Sequence, residues 1–196
     1  MKTALDYDTE QHYNNTQVGI AGSFTDISWL PSGSKLDLFL SDLTPPPALV
    51  SHAFASSVFS RHLEGRTEKF ALFTMHAKRG IQIPGGRKEK GESVMDCAIR
   101  EGYEETGVRL TKNQLKPVGY ARIWCPGPKP EGSIYPHPFS YMSFYRATGV
   151  FPEHLPTAGL TECFGTIIME MSKAISLQSI SDVDRIILRE IQSASD

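Results

Sequence analysis

From residue 53 onward the chain holds more strand-like stretches than helical ones, and the two kinds do not alternate. Residues 53–59 (AFASSVF), 69–75 (KFALFTM), 80–84 (GIQIP), 116–124, 139–147 (FSYMSFYRA) and 163–169 read as strands between turn-forming clusters. Only residues 93–106 and 182–191 read as helices. In the second, Val183, Ile186, Ile187 and Ile191 recur at helical spacing. A doubly wound parallel sheet needs a crossover helix for nearly every strand. Too few helices are on offer, so the expected class is α/β of the α+β kind, a mixed sheet flanked by helices.

The clearest break is Pro45-Pro46-Pro47, which fits neither a helix interior nor a central strand. It divides an N-terminal extension, residues 1–47, from a main domain, residues 48–196. Within the extension, residues 27–30 and 36–40 look like the two strands of a hairpin around Pro31-Ser32-Gly33-Ser34. A lone hairpin is marginal in water. This one is expected to pack on the main body or on a second subunit, which makes a homodimer with residues 27–40 near the contact an expectation.

Composition narrows the class. The 196 residues are 40% hydrophobic and 21% charged, ordinary for a globular chain with a sizeable core. A net charge of −2 supplies no field for nucleic acid or an anionic membrane. No run approaches the ~18 apolar residues of a membrane span, and the N-terminus lacks the apolar stretch of a signal peptide. Three widely spaced cysteines, Cys97, Cys125 and Cys163, with no CxxC, argue for reduced thiols in a cytoplasmic protein over a zinc site or a disulfide framework.

The stretch "REGYEETG", Arg100 to Gly107, is where chemistry concentrates. Ser93 is a good N-cap with Asp96 three residues on. At 100° per residue, Glu101, Glu104 and Glu105 share an arc of roughly 100°, opposite an apolar set that includes Met95, Ala98 and Ile99. Glu101 and Glu105 lie one turn apart, with Cβ atoms about 5–6 Å from each other. Unrelieved, like charges so placed cost a few tenths of a kcal/mol. A divalent cation reverses the sign, because carboxylate oxygens are the ligands a hard cation prefers. Taken alone, such a cluster is more often a solvated helix face.

The flanking residues change the weighing. Upstream runs "GIQIPGGRKEKGES": a strand, a double glycine that lets the backbone approach an ion or ligand, and a basic loop. From Gly86 there are five residues to Glu92 and seven more to Arg100-Glu101. Two more lead to Glu104-Glu105, and one to Gly107-Val108. This resembles the signature of the Nudix hydrolases, G-x5-E-x7-R-E-U-x-E-E-x-G-U, with U a bulky aliphatic. Gly102 is the one departure, where the pattern has an aliphatic residue. A mid-helix glycine costs about 1 kcal/mol against alanine. The signature covers Gly86 to Val108, a minority of the chain, and residues 48–196 are the domain expected to carry it.

The resemblance implies an α/β/α sandwich and the hydrolysis of a nucleoside diphosphate linked to another group, with Mg²⁺ or Mn²⁺ as cofactor. The products are a nucleoside monophosphate and a phosphorylated remainder. The motif implies Glu101 and Glu105 as principal metal ligands, Glu104 as a further one, and the carbonyl of Gly85 as an additional one. Arg100 orients a glutamate by a charge-assisted hydrogen bond. Glu92, at the loop–helix junction, is read as structural, since an acid there also suits the helix N-terminus. Members of the family often take a general base from outside the box. Glu162 is the candidate here, with Glu131 and Glu153 as rivals.

Around the double glycine, Arg79, Arg87, Lys88 and Lys90 could contact phosphates, with Arg79 and Arg87 favoured; Phe139 and Tyr141 are candidate base-stacking residues among Trp124, Tyr135, Phe139 and Tyr141. The stretch "YPHPFSYMSFY" lacks the SQPW part of the NADH diphosphatase array. The tyrosine spacing of dinucleoside polyphosphate hydrolases and the proline of ADP-sugar hydrolases are not clearly met. The six histidines form no metal-spaced pair. The partner expected is a small nucleotide, with no membrane and no nucleic acid. A catalytically silent nucleotide-binding or regulatory protein is the alternative, and the intact glutamates count against it. Cleavage of capped RNA ends would call for a basic surface, and isomerisation of isopentenyl diphosphate normally goes with a degenerate box.

Overall fold

The computed structural model describes residues 19–63, 65–149 and 163–194. Nine strands follow in chain order: β1 (Ile20–Phe24), β2 (Lys35–Leu40), β3 (Val50–Leu63), β4 (Arg66–His76), β5 (Gly80–Gln82), β6 (Gly85–Arg87), β7 (Leu115–Trp124), β8 (Phe139–Thr148) and β9 (Cys163–Glu170). Among the described residues three α-helices accompany them: α1 (Val94–Thr106), α2 (Met171–Ser176) and α3 (Asp182–Ser193). The main sheet runs β1-β2-β7-β8-β3-β4-β5, with β6 paired to β3 and β9 to β4. The β3–β8 pair is parallel, while the others are antiparallel. The sheet is therefore mixed, as the scarcity of helices predicted. Among the described residues no helix is long and apolar enough to cross a membrane.

Alternation along the strands sorts the core into two layers. On one face, Leu36, Leu38, Phe54, Phe73 and Phe144 pack against Ile187, Leu188 and Ile191 of α3. On the other, Phe39, Leu72, Tyr141 and Tyr145 pack against Cys97 and Ala98 of α1 and Val108 beyond it. Tyr141 is fully buried there. It belongs to the core, so its expected role in stacking on a base is corrected: no ring face is open to a ligand. Phe139 is half-buried against the same layer.

The N-terminal hairpin exists with different strands from those expected. β2 is in place, but its partner is Ile20–Phe24 rather than residues 27–30. Asp26 takes a left-handed φ of 54° and ends the strand direction. Ile27 and Leu30 still pack partly against the core, from a turn. That is why their apolar character mimics a strand. β2 also pairs along its whole length with β7, from Lys35 opposite Trp124 to Leu40 opposite Gly119. The hairpin thus completes its own sheet, and an unpacked hairpin no longer argues for a second subunit. β6 and α2 were not expected from the sequence at all.

Candidate active site

The helix α1 is set by its ends. Ser93 caps it, accepting a hydrogen bond from the Asp96 amide at 3.2 Å and donating to the Asp96 carboxylate at 2.5 Å. Gly107 closes it with a left-handed φ of 73°, its amide donating to the Tyr103 carbonyl. Val94, Cys97, Ala98, Gly102, Glu105 and Thr106 are buried against the sheet. Glu104 is exposed and Glu101 lies between these extremes. Glu105 is thus the one box glutamate on the buried flank.

Its burial is compensated. The amide of Gly85 donates to Glu105 Oε2 at 2.9 Å, and Thr166 of β9 donates through Oγ1 to the Glu105 carbonyl at 2.8 Å. Strand β6 brings the double glycine against the helix. A Cβ on Gly86 would lie 2.5 Å from the Glu101 carboxylate, so only glycine allows this approach. Burial pushes the Glu101 carboxyl above its ordinary pKa, and the neighbouring charges of Glu104 and Glu92 add to that push, while Arg100 pulls the other way. A half-buried carboxylate under that pressure is one whose charge a cation would relieve.

Arg100 sits at the centre of the acidic residues. Its guanidinium donates to Glu92 at 2.9 and 3.1 Å, to Glu101 at 2.8 Å, to Glu104 at 3.2 Å and to the Arg87 carbonyl at 3.0 Å. The pairing with Arg100 holds the Glu92 carboxyl below its ordinary range. Glu92 also accepts from the Glu89 amide at 2.9 Å, which ties the basic loop to the helix. The sequence reading of Arg100 as an orienting group meets a residue bonded to three glutamates at once. As the side chains stand, no three histidine, cysteine or acidic groups among the described residues converge on a point that could hold a metal ion. The reason is visible: Glu101 and Glu104 turn to Arg100, and Glu105 to Gly85. The donor set is nonetheless all carboxylate and carbonyl oxygen, the chemistry of a Mg²⁺ or Mn²⁺ site.

Cys97 lies beneath this group, its thiol donating to the Gly86 carbonyl at 3.6 Å; burial pushes it up to about 12, so it is no nucleophile at neutral pH. Arg79 and Arg87 are both exposed. Arg79 stands on the β4–β5 turn, where His76 Nδ1 accepts from the amides of Lys78 and Arg79 at 3.1 and 3.2 Å. Arg87 ends β6, directly opposite His52 of β3. Glu131 is exposed in the loop before β8. Glu162 and its rival Glu153 fall outside the described residues.

His52 was not picked out from the sequence, where a lone histidine in a strand carries no spacing to mark it. Here its ring stacks on Tyr135 at 5.6 Å and on Phe54 at 6.4 Å between centroids. Burial, with Arg79 and Arg87 adding to it, pushes its pKa down to about 4.

The family model described as NUDIX domain matches residues 56–159, more than half of the chain. An uncharacterized Nudix hydrolase of Bacillus subtilis, YvcI, is 44% identical over 54 residues, 27% of this chain and 34% of that protein. The ADP-ribose pyrophosphatase of the same organism is 34% identical over 88 residues, 41% of this chain and 48% of that one. The chain therefore spans about a third to a half of the length of these curated relatives. Among solved structures, a Bacillus subtilis pyrophosphohydrolase superposes with a TM-score of 0.58 at 21% identity, covering 87% of this chain and 96% of that one. At that identity the likeness speaks for the fold.

Proposed function

The chain belongs to the NUDIX domain family, and from that premise we propose that it is a metal-dependent pyrophosphohydrolase. Its substrate is a nucleoside diphosphate linked to another group. Water adds across one P–O–P bridge, leaving a nucleoside monophosphate and a phosphorylated remainder. The observation that carries this reading is the placement of Glu101, Glu104 and Glu105 on one helix beside Gly85-Gly86, with the glycine backbone pressed against Glu101.

Glu101, Glu104 and Glu105, with the Gly85 carbonyl, would hold Mg²⁺ or Mn²⁺. Such an ion supplies neutralisation of the diphosphate charge and makes water a stronger acid at the site. Arg100 sets where the carboxylates start from, and releasing Glu101 and Glu104 from it is the rearrangement that binding requires. Arg79 and Arg87 meet the phosphates, since a guanidinium fork matches phosphate oxygens. Glu162 is proposed as the general base. The relatives' names support the reaction class: one is a pyrophosphatase of ADP-ribose.

A panel of nucleoside diphosphate derivatives, assayed for phosphate-containing products with Mg²⁺ and with chelator, tests the reading. Turnover of at least one compound, abolished by chelator and by Glu105→Gln, is expected. Metal-dependent hydrolysis at the parental rate in Glu105→Gln overturns the ligand assignment, and parental rates in Glu162→Gln remove that residue as base. A homodimer with residues 27–40 near the contact is a separate proposal, supported by Trp29, whose surface is 56% exposed. A monomeric mass by light scattering at micromolar concentration would overturn it.

A further inference from the structure

Four rings run in a nearly parallel stack from the core to the surface. Phe144 of β8 is buried and stacks on Phe54 of β3 at 5.0 Å and 17°. Phe54 stacks on His52 at 19°, two residues earlier on the same strand face. His52 stacks on Tyr135 at 24°, and 39% of Tyr135 remains exposed. Tyr135 stands in the loop before β8, and the stack beneath it fixes where its ring lies.

The tautomer of His52 also follows from its neighbours. Ser51 Oγ donates its one proton to the Tyr141 carbonyl at 3.0 Å. It therefore accepts from His52 Nδ1 at 3.0 Å, and Nε2 is left as the acceptor. The neutral ring is kept so by burial and by the two guanidiniums of Arg79 and Arg87. The platform itself is uncharged, and the cations stand at its side. Arg87 is opposite His52 across the β3–β6 pair, and Gly86, against Glu101, is the next residue along β6.

We propose that Tyr135 and His52 form a stacking platform for the nucleobase of the substrate, with Arg79 and Arg87 taking the anionic phosphates beside it. The inference rests on the nucleotide reading above and adds to it the residues that distinguish a base-bearing ligand from a bare diphosphate. Stacking reads the π face that every base shares, so the platform favours nucleotides as a class over phosphate esters without a base.

The test measures binding, so it does not depend on turnover. Affinities for ADP and for inorganic pyrophosphate are measured by calorimetry at fixed Mg²⁺ on the full chain and its variants. The parent should bind ADP more tightly than pyrophosphate. Tyr135→Ala should weaken ADP by about 5- to 150-fold, the usual loss for one base–aromatic stack, and leave pyrophosphate unchanged. Tyr135→Phe should keep the parental values, because the ring and not the hydroxyl does the stacking. Arg87→Ala should weaken both ligands. Equal losses for the two ligands in Tyr135→Ala, no loss for either, or a parent that prefers pyrophosphate each overturn the platform. A parent that shows the expected discrimination but hydrolyses nothing in the panel keeps the platform and sinks the hydrolase reading instead.

Discussion

Arg100 and Glu92 meet in a two-point ion pair: Nε donates to Oε1 at 2.9 Å and Nη2 to Oε2 at 3.1 Å. The pair joins the helix to the loop that precedes it, because Glu92 also receives the Glu89 amide. With both oxygens engaged, Glu92 is fixed as structure, and Glu101 and Glu104 take the remaining donors of the same guanidinium.

Arg100→Lys should therefore cost more than its conserved charge suggests. A lysine ammonium cannot span Glu92, Glu101 and the Arg87 carbonyl in one plane. We expect a loss of about 1.5–3 kcal/mol in chemical denaturation, the scale of hydrogen bonds to charged groups, and at least a tenfold fall in kcat. Parental stability in Arg100→Lys would show that the hub is not structural.

The two glycines of β6 should respond oppositely to alanine. At Gly86 the atoms nearest the new Cβ are those at the end of the Glu101 side chain, at 2.5 Å. That chain can swing away, so the fold should lose less than about 1 kcal/mol, while metal affinity should fall at least tenfold. At Gly85 the Cβ would come within 2.6 Å of the Ala53 carbonyl and the Phe54 backbone. Backbone cannot swing away, so Gly85→Ala should unpair β6 and cost about 2 kcal/mol or more. Melting curves beside metal titrations of the two variants decide the matter.

Gly102→Ala should stabilise the protein. A Cβ there would touch Leu110 at 3.5 Å, an ordinary contact. The alanine recovers about 0.5–1 kcal/mol of helix propensity. A fall in melting temperature would mean that the glycine answers a need other than space.

Asp184 should make stability fall as pH rises. It lies in the first turn of α3, buried, and burial pushes its pKa up to about 6 from 3.8. Ser181, the Ile83 amide and Arg79 pull it back only in part. Because the folded value is the higher, the stabilising effect is complete below pH ~4 and is lost as pH rises through ~6. The difference is about 3 kcal/mol at 1.36 kcal/mol per unit. Asp184→Asn, which keeps the acceptor oxygen, should raise the melting temperature at pH 7 and change little at pH 4. A uniform shift at both values would refute the assignment.

The helix was legible because its signals are side chains: a capping serine, a closing glycine and glutamates on one arc. Residues 93–106 were expected, and Val94–Thr106 is observed with Ser93 as its cap. Strands with alternating apolar residues were legible for the same reason. β6 was not, since Gly85 and Gly86 have no side chains to alternate. The hairpin strand went astray because Ile27 and Leu30 bury themselves without pairing. Within the candidate site, the glutamates and Arg100 stood out by their spacing in the sequence. His52 did not, because its meaning depends on Tyr135, far away in sequence and brought near by the parallel β3–β8 pair. Tyr141 misled for the converse reason, since its place on the inner face of β8 is fixed only by the strand's register.

That parallel pair has a consequence for how the protein comes into being. On the ribosome, β3 emerges long before β8, and β2 long before β7. Their hydrogen-bonding edges and the apolar faces of Leu36, Leu38 and Phe54 wait uncovered through the making of the acidic helix and the loop beyond it. Long-range pairing of this kind folds slowly and leaves the nascent chain prone to aggregate. Chains truncated before Phe139 should accordingly be found bound to chaperones or in the insoluble fraction, whatever the merit of the acidic helix they already contain.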